Sequence, residues 1–446
     1  MAEPKGYNWP ARIESVEAIE PIMFPRSAAP RLIESLGDSP VVLIHGPRQC
    51  GKTTLARLVG ERRGYRYVTF DDDVIRAAAL ADPIGFVAGL PDRVVLDEVQ
   101  RVPALFTALK ARVDRDRTPG RFILTGSANV LLLPKLADSL AGRMHVLRLH
   151  PLSQCELARK TPHFIGALFS AKFDSGTAAR LGDALADRIV AGGYPAALAR
   201  ANDRRRAAWY RDYLEALIQR DVRELARIRA LDALPRLLSL AAANTARLQN
   251  VSDLAAPFQV SRPTIRDYVT LLERVFLLDI LPPWHSNRLS RLIKTPKLHL
   301  GDTGLACALL GATSTTLNRD RDMLGLLLET FVYQELRRQA SGLDEPLHFF
   351  HFRDKDGGEV DIVIERGAFE VVGVEVKASA TVTAADFRGL HKLKAAAGKR
   401  FVSGVVLYDG ERSLGFGEGL YAVPIRHIWS LSAPRRAKTK RIRSSA

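Results

Sequence analysis

The chain has 446 residues, 47% hydrophobic and 26% charged, which predicts a globular protein of several domains, since one domain usually takes roughly 100–200 residues. No run of about 18 apolar residues occurs, which excludes a membrane-spanning helix, and the three widely spaced cysteines exclude a C-x-x-C metal site and disfavour a disulfide framework. The formal net charge of +16 favours an acidic partner, nucleic acid first, although an arginine-rich composition without such a partner gives the same charge.

The first part of the chain predicts an α/β fold. Residues 1–38 are expected to form a lead-in with no secretory signal, so we expect a cytoplasmic, reduced protein. In residues 39–151, short apolar strands alternate with amphipathic helices, which predicts a mostly parallel sheet covered on both faces. The predicted strands are 41–45, 65–70, 93–97, 121–126 and 144–149.

The segment after the first predicted strand reads GPRQCGKT and fits the phosphate-binding pattern G-x-x-x-x-G-K-[ST]. Its glycines let backbone N–H groups approach phosphate oxygens, and the following helix points its positive dipole end at the anion. We therefore expect this P-loop to bind ATP and Mg²⁺, with Lys52 on the outer phosphates and Thr53 on the metal ion. The predicted nucleotide contacts are Gly46, Pro47, Arg48, Gln49, Cys50, Gly51, Lys52, Thr53 and Thr54. Cys50 is favoured as a loop spacer over a redox group.

Further polar residues lie where later strands end. Asp97 is expected to hold Mg²⁺ through water as a second acidic anchor, and Glu98 to polarise the attacking water, which predicts hydrolysis rather than binding alone. Thr125 or Ser127, with Ser127 preferred, could lie between Asp97 and the γ-phosphate; an ordinary polar turn is the alternative. Arg143 could act as an arginine finger in its own or a neighbouring subunit, or serve only a structural role.

At the sequence level, the segments GPRQCGKTTL, VVLDEVQRVP, FILTGSANVLLL and LAGRMHVLRLHPLSQCE resemble prokaryotic AAA-family ATPases that carry a C-terminal domain of unknown function. The later segments GGYP, YLEALIQRDV and KLHLGDTGLACALL resemble the same family, so the resemblance covers almost the whole chain. The resemblance implies ATP binding and says little about the cellular role.

The middle of the chain is predicted to be helical. Residues 152–245 read as helices interrupted by Gly-Gly-Tyr-Pro, with one long amphipathic helix over 209–228. Residues 246–295 are predicted to be winged-helix-like, because a turn precedes a helix that opens with Ser-Arg-Pro-Thr. Ser261, Arg262, Thr264 and Arg266 would lie where such helices contact DNA, although the element could instead be an interdomain lever.

Residues 296–432 are predicted to form a small α/β nuclease-like domain, followed by a basic tail over 433–446 that is either solvated or bound to a polyanion. Asp361 lies on one predicted strand, and Glu375 and Lys377 share one face of the next. This pattern resembles the restriction-endonuclease-like core, which adds an acid from a preceding helix; Glu329 fits best, with Glu335 as the substitute. Such a group could hold Mg²⁺ beside a phosphodiester, or remain as a silent docking surface. His348 and His351 are expected to face opposite ways and not to share a metal.

Two hypotheses follow from the sequence. In the first, an ATP-hydrolysing enzyme couples turnover to action on nucleic acid, and a homo-oligomer is one assembly it could form. In the second, the protein is an ATP-dependent regulatory or assembly switch that binds a protein partner, and its nuclease-like domain is catalytically silent.

Overall fold

A computed structural model describes residues 23–127, 140, 142–173, 176–219, 233–249, 254–258, 261–287 and 295–431. Its first unit is an α/β layer structure. The strands are β1 (Val41–His45), β2 (Arg66–Thr69), β3 (Val94–Asp97), β4 (Phe122–Gly126) and β5 (Met144–Arg148). The helices are α1 (Ala29–Asp38), α2 (Lys52–Glu61), α3 (Asp73–Ala81), α4 (Pro83–Ala88) and α5 (Leu105–Arg115).

These five strands form one parallel sheet in the order β2-β3-β4-β1-β5. Successive side chains of a strand point to opposite faces, and β1 shows this directly. Val41 and Leu43 pack in the core with α3, α4 and α5, whereas Val42 and Ile44 pack in the core with α1 and α2. The predicted parallel sheet with helices on both faces is confirmed, and it has the fold of a P-loop NTPase.

The middle region is mostly helical. Its helices are α6 (Gln154–Leu157), α7 (Phe164–Ser170), α8 (Asp183–Ala191), α9 (Pro195–Leu198), α10 (Asp203–Leu217), α11 (Ala233–Ala243) and α12 (Arg262–Arg274). Of the long helix expected over 209–228, α10 contains the first part, and positions 220–228 lie outside the described residues.

Helix α12 begins after Ser261, whose side chain accepts a hydrogen bond from the Thr264 N–H, and it has a proline in its first turn. Its apolar face is buried in the largest core of the molecule. The strands β6 (Leu278–Leu281) and β7 (Lys297–Leu300) follow and pair antiparallel.

The last unit is built around a six-stranded mixed sheet. Its strands are β8 (Leu347–Arg353), β9 (Glu359–Arg366), β10 (Glu370–Lys377), β11 (Phe401–Tyr408), β12 (Leu414–Gly415) and β13 (Leu420–Pro424), and their order in the sheet is β12-β13-β11-β10-β9-β8. The helices are α13 (Thr303–Leu310), α14 (Ser314–Arg319), α15 (Arg321–Ala340), α16 (Arg388–Ala397) and α17 (His427–Ser430). Helix α15 packs on one face of the sheet through Leu328 and Phe331, and α16 packs on the other through Leu390 and Leu393.

Short 3-10 helices complete the described elements; they are Val99–Arg101, Ala256–Phe258, Ala384–Phe387 and Gly398–Arg400. In the described parts of the chain, we find no helix with both the length and the apolar character needed to cross a membrane.

Candidate functional site

The loop between β1 and α2 is closely packed. A Cβ atom at Gly46 would lie 2.0 Å from the carbonyl oxygen of Leu149, so this position tolerates only glycine. Gly51 adopts a φ of +99°, which favours glycine as well. The Lys52 side chain is buried and donates a hydrogen bond of 2.8 Å to the carbonyl oxygen of Pro47. The loop therefore folds around the Lys52 side chain, and the hydrogen bond to Pro47 holds the ammonium group of Lys52 inside the loop.

The carboxylate of Asp97, at the end of β3, gathers three hydroxyl groups. Thr53 Oγ1 donates to its Oδ1 at 2.9 Å, and the Thr125 hydroxyl donates to the same oxygen. The Tyr67 hydroxyl donates to Oδ2 at 2.8 Å, and burial together with this hydrogen bond raises the pKa of Tyr67 to about 12. Thr53 and Asp97 thus present adjacent oxygen ligands of the type that Mg²⁺ prefers, and they fit the predicted metal position.

Glu98 adopts a left-handed backbone conformation, with φ +58°, directly after β3. Its N–H donates to Thr125 Oγ1 at 3.1 Å, and its Oε2 accepts hydrogen bonds from Ser127 Oγ at 3.1 Å and from Gln100. The structure therefore places Thr125 against Asp97, and Ser127 against Glu98. The sequence preference was for Ser127 between Asp97 and the γ-phosphate; in the structure Thr125, inside β4, contacts Asp97, whereas Ser127, the residue after β4, contacts Glu98.

A cavity of about 540 Å³ opens beside the loop and α2. It is lined by the loop, by Glu98 and by apolar residues of α2 and of segments distant in sequence. These apolar residues are Met23 and Phe24 before α1, Leu55 and Leu58 of α2, Leu152, and Pro195 and Ala196 of α9. Those from distant segments were not singled out from the sequence; the only available signal was the Gly-Gly-Tyr-Pro interruption that precedes α9.

Two other residues of the loop region have defined contacts. Cys50 is fully buried, and burial raises the pKa of its thiol, which disfavours the reactive thiolate. Arg26, before α1, donates to the carbonyl oxygen of Cys50 at 2.7 Å and forms an ion pair with Glu156 at 3.2 Å. Arg26 thereby connects the loop to α6, which contains Glu156.

Arg143 does not line this cavity. Arg143 directly precedes β5, and its Nε forms an ion pair with Asp114 of α5. In this chain the guanidinium group is therefore positioned by α5, away from the loop of the same molecule.

The four nuclease candidates lie in the last unit around the β9–β10 pair. Lys377 Nζ contacts Glu375 Oε1 at 2.9 Å, so the two residues share a face as expected. Asp361 Oδ2 accepts a hydrogen bond from the Val376 N–H at 2.9 Å, which places its carboxylate beside β10. Burial and the nearby Asp361 raise the pKa of Glu375 to about 8.

Glu329 of α15 joins this group through a lysine that the sequence analysis missed. Lys297 Nζ lies 2.8 Å from Glu329 Oε1, 3.2 Å from Asp361 Oδ1 and 2.8 Å from Glu359 Oε1. Glu335, the substitute candidate, lies elsewhere and contacts Arg338 at 3.0 Å. Among the residues that the structure describes, no group of three or more His, Cys, Asp or Glu side chains is arranged to hold a metal ion.

Three family models match the chain. An AAA domain matches residues 38–158, a domain of unknown function (DUF8612) matches 182–316, and a second domain of unknown function (DUF4143) matches 324–428. Two curated relatives, the uncharacterized proteins Mb2031c of Mycobacterium bovis and Rv2008c of Mycobacterium tuberculosis, are each 30% identical over 405 residues. Each alignment covers 90% of this chain and 84% of the relative.

Solved structures show a more distant similarity. The Walker-type ATPase PABY2304 of Pyrococcus abyssi is 14% identical, with a TM-score of 0.42 over 65% of this chain and 96% of that chain. The RuvB Holliday junction branch migration motor of Thermotoga maritima is 16% identical, with a TM-score of 0.28 over 58% of this chain and 90% of that chain.

Proposed function

We propose a function from this premise: the chain belongs to the family of AAA-domain proteins that includes its two mycobacterial relatives, and its first unit is an AAA-type P-loop ATPase domain. The protein binds ATP with Mg²⁺ and hydrolyses it. The observation that carries the proposal is the hydrogen bond between Thr53 and Asp97 beside a cavity lined by both Lys52 and Glu98.

In this proposal, the backbone N–H groups of residues 48–54, which include the start of α2, hold the phosphates, because this part of the loop is open to the cavity and leads into a helix N-terminus. Lys52 turns from the Pro47 carbonyl group toward the outer phosphates. The apolar side of the cavity, with Phe24 and Pro195, receives the base. Mg²⁺, when bound through Thr53 and Asp97, supplies charge neutralisation of the phosphoryl oxygens.

Glu98 positions the attacking water and accepts its proton, with Ser127 and Gln100 fixing the carboxylate orientation. Thr125, bound to Asp97, links the nucleotide pocket to β4. Arg143 stays a candidate finger toward the nucleotide of a neighbouring copy, because its ion pair with Asp114 holds the guanidinium group away from the loop of its own chain.

The proposal couples ATP turnover to nucleic acid through residues 246–295, the winged-helix-like region. Arg262 and Arg266 lie exposed in the first turns of α12, and the antiparallel pair of β6 and β7 follows that helix. The net charge of +16 adds a general attraction for polyanions. The nuclease-like assignment of residues 296–432 belongs to the same proposal.

A second candidate function is a nucleotide-controlled switch that acts on a protein partner. One contact favours it: the Tyr213 hydroxyl of α10 donates to the Arg48 carbonyl oxygen at 3.4 Å. Helix α10 thus contacts the nucleotide loop directly, and a loop movement on hydrolysis would reach the helical region without any nucleic acid.

The test is ATP hydrolysis by the purified full chain with Mg²⁺, without DNA and with single- or double-stranded DNA. We expect turnover in wild type, loss of it in Lys52→Ala, and no change in Lys399→Ala, which removes an exposed lysine distant in sequence from the loop. Stimulation by DNA supports the first function, and DNA-independent turnover supports the switch. Equal turnover in wild type and Lys52→Ala would refute both.

A further inference from the structure

Lys297 begins β7, yet its side chain is only 3% exposed. Its ammonium group lies within 3.2 Å of one oxygen from each of three carboxylates, which we call the carboxylate cage: Glu329, Glu359 and Asp361. Glu329 comes from α15, and Glu359 and Asp361 come from β9. A residue of β7, which pairs with β6 outside the six-stranded sheet, therefore lies between α15 and β9.

The chemistry of the cage matches a lysine well. An ammonium group has three N–H donors and no acceptor, and the cage offers it three carboxylates. Carboxylates held close together repel one another, and a cation beside them offsets that repulsion. Lys297 supplies that cation from within the chain, and the three acids together hold its pKa well above the usual value, although burial alone would lower it.

Two contacts of the same chain lie beside the cage. The second oxygen of Asp361 accepts from the Val376 N–H, and Lys377 pairs with Glu375. Mg²⁺ requires oxygen ligands at about 2.1 Å in octahedral geometry, so it cannot share this space with an ammonium group held at 2.8 to 3.2 Å from the same oxygens. A metal ion and Lys297 would compete for one position.

We propose that the Lys297 ammonium group is the resident cation of the carboxylate cage, and that it holds the position a divalent metal ion would take in a nuclease-like centre. While Lys297 is in place, the last unit does not cut phosphodiester bonds. The cage instead joins the two-stranded sheet of β6 and β7 to α15 and β9. This inference rests on the proposed nuclease-like assignment of the last unit, and it does not depend on the proposed ATP hydrolysis.

The experiment is a titration of the full chain with Mn²⁺ in the absence of nucleotide. Electron paramagnetic resonance measures the concentration of free Mn²⁺ at each step. Any weak binding elsewhere is common to all variants and cancels in the comparison. We expect Lys297→Ala to bind one more Mn²⁺ per chain than wild type, and Lys297→Ala with Asp361→Asn to lose that extra ion. Lys392→Ala is the matched control, because Lys392 also pairs with an acid, Asp354 at 2.6 Å, but on the surface; it should bind no extra ion.

A folded Lys297→Ala protein without an extra Mn²⁺ would overturn the proposal. If that variant does not fold, the comparison of wild type with Glu359→Gln decides, since Glu359 is the most exposed acid of the cage. Equal Mn²⁺ binding by wild type and Glu359→Gln supports the proposal that lysine occupies the cage. Weaker Mn²⁺ binding by Glu359→Gln would show that the cage of the wild type binds metal, and it would refute the proposal. ATP turnover measured on the same samples reports separately on the ATPase proposal.

Discussion

Thr53 and Asp97 are 44 residues apart in the chain, and the Thr53 hydroxyl donates a hydrogen bond of 2.9 Å to Oδ1 of Asp97. Thr53 lies in the first turn of α2, after β1, and Asp97 ends β3. Strand β4 lies between β1 and β3 in the sheet. Because all three strands are parallel, their carboxyl ends lie at the same edge of the sheet. The sheet topology therefore brings the two proposed oxygen ligands for Mg²⁺ together.

Glu98→Gln should keep nucleotide binding and lose hydrolysis by about 100-fold or more, because the amide cannot accept a proton from water. The variant keeps an oxygen that can accept the Ser127 hydrogen bond. Binding is measured by titration with a fluorescent ATP analogue, and turnover by phosphate release. Gln100→Ala, which removes only a neighbour of the carboxylate, should lose much less. Undiminished turnover in Glu98→Gln would show that another group activates water.

Arg143→Ala and Asp114→Ala separate a finger from a structural ion pair, because both break the same contact and only the first removes the guanidinium group. If Arg143 reaches a neighbouring nucleotide, its removal should lower turnover by about 10³-fold, and Asp114→Ala should have a small effect. Turnover per chain should then also rise with protein concentration. Equal and small losses in both variants would leave Arg143 a structural role.

Arg262→Glu with Arg266→Glu should weaken DNA binding if the start of α12 contacts phosphates. Two lost contacts should lower the slope of log affinity against log salt concentration by about 2. The measurement is fluorescence anisotropy of labelled duplex DNA at several salt concentrations. Arg274→Ala changes an exposed arginine at the opposite end of the same helix and should leave the slope unchanged. Wild-type protein that binds no DNA at low salt argues for the switch instead.

The sequence predicted the first unit well because its signals are local. Apolar runs gave each strand of the parallel sheet to within a residue or two, and the resemblance to AAA-family ATPases is confirmed by the match over residues 38–158. The closeness of Thr53 to Asp97 follows from a general property of parallel sheets, so it too could be anticipated.

Contacts between distant segments could not be predicted in this way. Lys297 is 32 residues from Glu329 and 64 from Asp361, and a lysine that opens a short strand carries no sign that it will be buried. The apolar lining of the cavity beside the loop likewise combines Phe24 with Pro195. In sequence, Phe24 precedes the ATPase domain and Pro195 follows it. Such pairings depend on tertiary packing rather than on periodicity.

Asp279→Asn should lower the free energy of unfolding, because Asp279 lies where the ATPase domain, the middle region and the last unit meet. Asp279 of β6 lies 3.3 Å from Arg148 of β5, contacts Arg337 of α15, and accepts from Gln334 at 2.9 Å. Burial alone would raise the pKa of Asp279, but the two arginines hold it at about 2, against an ordinary value of 3.8. A shift of this size corresponds to about 2 kcal/mol of folding free energy at neutral pH.

The sign of the pH dependence follows from that shift. Because the folded-state pKa is depressed, the stabilisation is present above pH 4 and declines as the pH falls toward 2. The difference in unfolding free energy between wild type and Asp279→Asn, measured in urea, should therefore be about 2 kcal/mol at pH 7 and clearly smaller at pH 3. The exposed Asp322, changed to Asn, should shift stability by less than about 0.5 kcal/mol at either pH. A difference for Asp279→Asn that does not change with pH would mean that its charge does not stabilise the junction.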